Sequence, residues 1–158
     1  MTRKTDAQVP DKVRRLDRAD YERLAEFRFL LRRFLTFSKN AAEQSGLTAQ
    51  QHQALLAIKG FPGPRPITTG DLAERLDIRH HSAVGLVDRL VSNALVRRRK
   101  SESDRRQVQL ELTEKAEALL LDLSAAHRDE LERLAPLLRT LLSHFDRTSN
   151  DKPAHRAK

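Results

Sequence analysis

Residues 68–113 read TTGDLAERLDIRHHSAVGLVDRLVSNALVRRRKSESDRRQVQLELT, and this stretch decides the fold. Thr68 and Asp71 have the three-residue spacing of a helix-capping pair, in which each side chain satisfies the other's backbone N–H. Leu72, Ala73, Leu76 and Ile78 supply an apolar face, so a short helix ends near Asp77. A second helix runs from about His80 to Asn93. Helical spacing puts Ala83, Val84, Val87, Leu90, Val91 and Ala94 on one side of it. His81, Ser82, Gly85, Leu86, Arg89 and Ser92 fall on the other. Two helices parted by so few residues have the spacing of a helix-turn-helix, whose second helix enters the major groove of DNA.

The outward face of that second helix suits the reading of bases. His80, His81 and Ser82 open it, where a recognition helix meets base edges. Gly85 lets the backbone approach closely, and Arg89 is long enough to reach a base or a phosphate. Leu86 is out of place on a polar face. It either touches a thymine methyl or packs on a neighbouring helix.

After Leu95 the pattern changes to alternation. Val96 to Lys100 reads as one strand and Gln107 to Leu112 as another, with Val108, Leu110 and Leu112 on one face. Ser101 to Arg106 links them into a basic hairpin, a wing. Arg97, Arg98, Arg99, Lys100, Arg105 and Arg106 place six cations within ten residues, with Glu102 and Asp104 among them. A tip arginine can enter the minor groove, where negative potential is concentrated. Asp104 is positioned to hold Arg106. A basic hairpin alone is often a solvated edge that resists aggregation. Its adjacency to a helix-turn-helix is what points to nucleic acid.

Working outward, Thr48 and Gln51 form another capping pair. The helix they start ends at Gly60, with His52, Leu55, Leu56 and Lys59 on one face and Ile58 extending the apolar side. The run FPGPRP over 61–66 excludes helix and central strand, and Ile67 is a candidate for a brief strand. Further upstream, a long helix is expected from about Asp20 to Ser45. It carries Leu24, Phe27, Leu31, Phe34 and Leu35 at helical spacing, and Gly46 stops it. Phe27, Phe29, Phe34 and Phe37 spread around it, which asks for burial on more than one face.

Downstream of Thr113 a helix carries Ala116, Leu119, Leu120, Leu123, His127, Leu131 and Leu134. Pro136 is placed at the first position of a last helix, where its missing N–H costs little, followed by Leu137, Leu138, Leu141, Leu142 and Phe145. These leucines outnumber their partners within one subunit. A core shared by two chains would bury them at ~25 cal/mol per Å² of apolar area.

The 158 residues include 30 Lys and Arg against 22 Asp and Glu, a formal net charge of +8. A basic chain of this size suits nucleic acid or an anionic surface. Aromatics at 4% and hydrophobics at 39% favour helices packed by Leu and Ala over a sandwich or barrel. There is no cysteine, which excludes disulfides and thiol redox sensing. No apolar run approaches a membrane span and Met1 to Pro10 lacks a signal-peptide core, so a cytoplasmic protein with no membrane partner is expected. His80 and His81 diverge by about 100° on a helix and cannot easily share an ion, while His52, His127 and His144 are isolated in sequence. No metal and no cofactor are expected. No Ser/His/Asp motif, phosphate-cradling glycine loop or metal-hydrolase pattern appears, and Glu130 and Glu132 read as the solvated side of a helix, so no enzyme is expected.

The run from Leu47 to Thr113 resembles the multiple antibiotic resistance regulator (MarR) family of bacterial transcription factors. The resemblance lies in Leu47-Thr48, in Thr69-Gly70-Asp71-Leu72-Ala73-Glu74-Arg75-Leu76 and in Val87-Asp88-Arg89-Leu90. It continues in the wing's Asp104-Arg105-Arg106 and in Leu112-Thr113-Glu114-Lys115. With the flanking helices it covers roughly residues 20–146. One departure is Asn93-Ala94, where the family commonly has Lys-Gly. Asn tolerates the left-handed conformation, so the turn is expected to shift by one residue.

The resemblance implies a homodimer on a pseudo-palindromic site. Each recognition helix would lie in a major groove, and each wing would reach the minor groove through Arg106. It also implies a repressor released by a small aromatic or anionic effector. The expected fold class is mainly α with a small β wing, a winged helix-turn-helix whose N- and C-terminal helices form a dimerisation region. Residues 1–18 are a basic arm, 19–46 a dimerisation helix, 47–113 the DNA-binding domain, 114–146 the C-terminal dimerisation helices and 147–158 a basic tail. Leu24, Phe27, Leu31, Leu134, Leu138, Leu141, Leu142 and Phe145 are the candidate dimerisation residues. The expected partner is double-stranded DNA; the alternative is a winged-helix module that binds protein and not DNA, for which an apolar or acidic wing would be expected.

Overall fold

The computed structural model describes residues 16–100 and 108–147, apart from the side chains of 144–147. In chain order the elements are α1 (Arg18–Gln44), α2 (Ala49–Lys59), α3 (Thr69–Arg75), α4 (His80–Ser92), β1 (Val96–Lys100), β2 (Val108–Leu112) and α5 (Glu114–Arg147). The fold is mainly helical, with one two-stranded antiparallel sheet among the described residues. No described helix is long and apolar enough to cross a membrane.

Three helices start in the same way. Thr48 with Gln51 and Thr68 with Asp71 form the expected reciprocal caps of α2 and α3, and Asp17 with Asp20 caps α1. Each pair satisfies two backbone N–H groups that the first helical turn would leave unpaired. The Asp17–Asp20 pair escapes the sequence reading because its cap position carries Asp in place of the Ser or Thr of the usual pair.

Helices α3 and α4 are each followed by a left-handed residue. Asp77 has φ of 51°, and the Ile78 N–H donates to the Ala73 carbonyl at 3.0 Å, which turns the chain from α3 towards α4. At the end of α4, Ala94 has φ of 54° while Asn93 keeps φ of −85°. The expected one-residue shift onto Asn93 is therefore corrected. The Leu95 N–H donates to the Leu90 carbonyl at 2.9 Å, and this bond fixes Ala94 as the residue that must turn. Leu95 and Val96 enter the core immediately afterwards. That packing outweighs the ~1 kcal/mol that a β-carbon costs in this conformation.

The core joins α2, α3, α4, the sheet and the start of α5. Leu55, Ile67, Leu72, Leu86, Leu90 and Leu110 are fully buried in it. On α2 the buried face is Gln51, His52, Ala54, Leu55 and Ile58, whereas Leu56 is exposed, so His52 and Leu56 do not share the inner face as expected. In the sheet, Val96 pairs with Leu112, Arg98 with Leu110 and Lys100 with Val108. The Ile67 carbonyl accepts from the Leu110 N–H at 2.8 Å and Thr68 forms an isolated bridge with Gln109, in place of the brief strand expected at Ile67.

Thr113 joins the wing to α5. Its hydroxyl donates to the Ala94 carbonyl at 2.8 Å and accepts from the Ala116 N–H at 3.2 Å. The helix that follows is continuous through Pro136. The expected break there is corrected. A proline inside a helix removes one N–H and presses on the carbonyl one turn earlier. Here Leu131, Leu134, Leu138 and Leu141 keep helical spacing through it, and α5 packs along α1. Leu134 is only 1% exposed, so it is covered within a single subunit.

Candidate nucleic-acid interface

The exposed side of α4 is built from the residues left over after its core face is satisfied. Ala83, Leu86, Val87 and Leu90 are buried; His80, His81, Ser82, Val84, Asp88 and Arg89 are exposed, and Gly85 is partly so. Leu86, expected on the outer face, is 1% exposed and belongs to the core. Val84, expected inside, is turned out. The inner face is rotated by about 45° from the sequence reading, since residues advance about 100° around the helix. Leu86 lies one turn before Leu90 and three residues after Ala83, so all three follow one stripe.

Gly85 sits in the middle of the outer face. A β-carbon placed on it would meet only the Arg89 guanidinium, at 3.6 Å, an ordinary contact. Nothing in the fold itself requires glycine there. The start of α4 also differs from those of α1, α2 and α3: Arg79 provides no side-chain cap. Its first-turn N–H groups are not covered by a side chain from that position.

The wing stands beside this face. Arg97, Arg98, Arg99 and Lys100 on β1 are all exposed. Strand alternation sends Arg98 and Lys100 to one side and Arg97 and Arg99 to the other. Arg98 is ion-paired with Asp88 of α4, and Arg99 Nε lies 3.2 Å from Glu111 Oε2 on β2. The first pair joins wing and helix; the second stays within the hairpin. Asp104, Arg105 and Arg106 lie outside the described residues.

A further cationic feature comes from the Pro-rich loop, which the sequence reading treats only as a stiff connection. Arg65 donates through both terminal nitrogens to Asp71, at 2.7 and 2.8 Å. Asp71 also accepts from the Thr68 N–H and hydroxyl, at 2.8 and 2.7 Å. The Arg65 guanidinium and these Thr68 bonds hold the Asp71 carboxyl far below the usual aspartate range, against the opposing effect of burial. Arg65 and Arg75 both lie 5.5 Å from the Phe61 ring centroid. Arg65, Thr69, Gly70, His80, Val84 and Arg98 line one cleft of about 620 Å³ between α3, α4 and the wing. The structure thus brings Arg98 and His80 together with an arginine that the sequence reading missed. The Arg65–Asp71 spacing of six residues has no local signature; only the loop's path makes the pair.

The candidate dimerisation residues divide by exposure. Leu24, Leu31 and Leu142 are exposed; Phe27, Leu138 and Leu141 are partly buried; Leu134 is internal. The Phe145 side chain lies outside the described residues. Leu35, Leu131 and Leu137 are further large apolar side chains left exposed on α1 and α5.

Comparison with known proteins agrees with this architecture. The MarR family model matches residues 45–107, from the end of α1 into the wing. No curated protein matches the chain. Among solved structures, AbsC, a MarR family transcriptional regulator from Streptomyces coelicolor, superposes with a TM-score of 0.66 at 21% identity, covering 87% of this chain and 94% of AbsC. A MepR variant from S. aureus, bound to oligodeoxyribonucleotide, gives 0.60 at 20% identity, covering 79% of this chain and 97% of its own. The multiple antibiotic-resistance repressor of Listeria monocytogenes is 28% identical, with a TM-score of 0.58, 78% of this chain covered and 94% of that one. With the helix-turn-helix, the wing strands and the flanking helices, the chain has the winged-helix fold of these structures, and its residues 45–107 are similar to the MarR family of transcriptional regulators.

Proposed function

We propose, from its similarity to MarR family regulators, that this chain is a DNA-binding transcriptional regulator and acts as a homodimeric repressor on a pseudo-palindromic operator. The observation that carries the proposal is the joined surface of α4 and β1. The polar face of α4, opened by His80, His81 and Ser82 and continued by Gly85 and Arg89, is tied through Asp88–Arg98 to a strand of four exposed cations. A helix with a bare backbone at its middle fits a major groove, and adjacent cations fit phosphates and the neighbouring minor groove. The similar MepR structure, bound to oligodeoxyribonucleotide, supports duplex DNA as the partner.

The dimer reading is supported by the apolar side chains left uncovered on one subunit: Leu24, Leu31 and Leu35 on α1, and Leu131, Leu137 and Leu142 on α5. Two such helices, exposed in water, would cost much of the stability that their inner faces contribute. Sedimentation equilibrium of the full chain tests it. A dimer is expected down to micromolar concentration, with Leu31→Glu shifting it to monomer; a native monomer throughout would contradict the reading. The effector is expected to be a small aromatic or anionic molecule. A thermal-shift screen of aromatic acids should raise the unfolding midpoint for at least one of them, because a ligand that binds only the folded state stabilises it.

A further inference from the structure

His52 and His127 are far apart in sequence, on α2 and α5, and their rings meet with centroids 4.7 Å apart, tilted by 42°. The seam they occupy lies between the α1–α5 pair and the domain that carries α3, α4 and the wing. His52 is 3% exposed, and its Nδ1 is buried with no hydrogen-bond partner. His127 is better served. Its Nδ1 lies 2.6 Å from the Leu123 carbonyl, which can only accept, so Nδ1 carries a proton. Its Nε2 lies 2.7 Å from the Ser38 hydroxyl on α1. In the neutral ring Nε2 accepts from Ser38; in the charged ring it donates to the same oxygen. Phe34 and Phe37 of α1 lie T-shaped against the His127 ring, with centroids 5.9 and 5.5 Å away.

The two rings therefore differ in what a proton would do to them. His127 can hold a second proton with both nitrogens bonded. His52 cannot, because a charge there would be buried with one N–H unpaired and would face His127. Facing the pair from α1 are Ser38, Phe34 and Phe37, none of them an acid, and from α5 the Leu123 carbonyl. Among the described residues, the ionisable group whose charge acts on His52 is His127 itself. Burial first, and the neighbouring imidazole second, favour the neutral form of His52. The packing of neutral His52 is thus present in full above its ordinary value of 6.5 and is lost as pH falls below it.

We propose that the His52–His127 pair is a proton-responsive joint between the dimerisation helices and the reading head. Protonation at the pair parts α2 from α5 and loosens the head from its frame. The fixed spacing of the two recognition helices goes with it, and duplex affinity falls. This rests on the DNA-binding reading, so the test separates the two. The probe is the duplex that the native protein selects from a random-sequence pool at pH 7.5, titrated at constant ionic strength from pH 7.5 to 5.5.

His80 and His81 on the proposed DNA face are common to every protein compared, so the native protein is set against His52→Phe, which retains a ring and removes the buried nitrogen. Native affinity should fall about fivefold to tenfold relative to His52→Phe across that range, up to the limit of tenfold per pH unit for one linked proton. His127→Gln should flatten the curve likewise. Parallel curves for all three proteins would overturn the proposal. Hydrogen exchange of the native chain decides it without any variant or DNA. The α2 amides around His52 should lose protection on acidification before those of α3 and α4, and a uniform loss would overturn the joint. Absence of duplex binding at every pH would refute the DNA-binding reading alone, leaving the exchange result to judge the joint.

Discussion

The Asp88 carboxylate on α4 accepts a hydrogen bond from the Arg98 guanidinium on β1, so α4 and the wing are joined across their exposed surface. Exposed ion pairs contribute only ~0–1 kcal/mol to folding. The pair's value lies in aiming Arg98. Asp88→Asn removes a negative charge from the proposed DNA face, which by electrostatics alone would tighten binding. The expected result is the reverse: a nearly unchanged unfolding midpoint and a weaker duplex complex, measured by fluorescence anisotropy. Tighter binding would show that Asp88 does not position Arg98.

Gly85 offers a cleaner separation of fold and function. A β-carbon has room there in the free protein, and alanine in place of glycine inside a helix gains up to ~1 kcal/mol. Gly85→Ala should therefore raise stability in urea denaturation while weakening duplex affinity at least tenfold. A variant that is more stable and binds as well as the native chain would mean that no backbone approaches DNA at this position.

Leu86 and Arg89 make the opposite contrast. Leu86→Ala, in the core, should cost ~2–5 kcal/mol of unfolding free energy. Arg89→Ala, on the exposed face, should leave the unfolding midpoint within a degree or two and lose affinity and sequence preference together. The check is denaturation and binding measured side by side on both variants.

Asp71 predicts a pH dependence. Arg65 and Thr68 hold its folded-state carboxyl well below 3.8, so the charged form stabilises the fold in full above that value, and the contribution is lost progressively as pH falls from there toward the lower folded-state value. Asp71→Ala should destabilise by ~1 kcal/mol at pH 7, the value of a lost capping interaction. The gap to the native protein should close as pH is lowered below about 4, read from thermal unfolding at stepped pH.

Much of this architecture is legible in the sequence because its signals are local. The Thr48–Gln51 and Thr68–Asp71 caps, the change from helical to alternating spacing after Leu95 and the short link between α3 and α4 are each set within a few residues. What escapes depends on packing. Leu86 is apolar among polar neighbours, and only the position of the core shows that it faces inward. Pro136 reads as a helix start, yet the packing of α5 along α1 carries the helix through it. Ala94 takes a conformation suited to glycine because Leu95 is drawn into the core. His52 and His127, like Arg65 and Asp71, meet only through the folded path of the chain.

The claim that α4 and the wing together hold duplex DNA is tested most directly by a salt titration. The native chain and Arg106→Ala are each bound to the duplex that the native chain selects from a random pool. The logarithm of the native association constant should fall linearly with the logarithm of salt concentration. The slope for Arg106→Ala should be shallower by about one phosphate contact, with weaker binding at every salt. Arg106→Ala matching the native slope and affinity would contradict the role given to the wing, and failure of the native chain to bind any duplex at low salt would contradict the account as a whole.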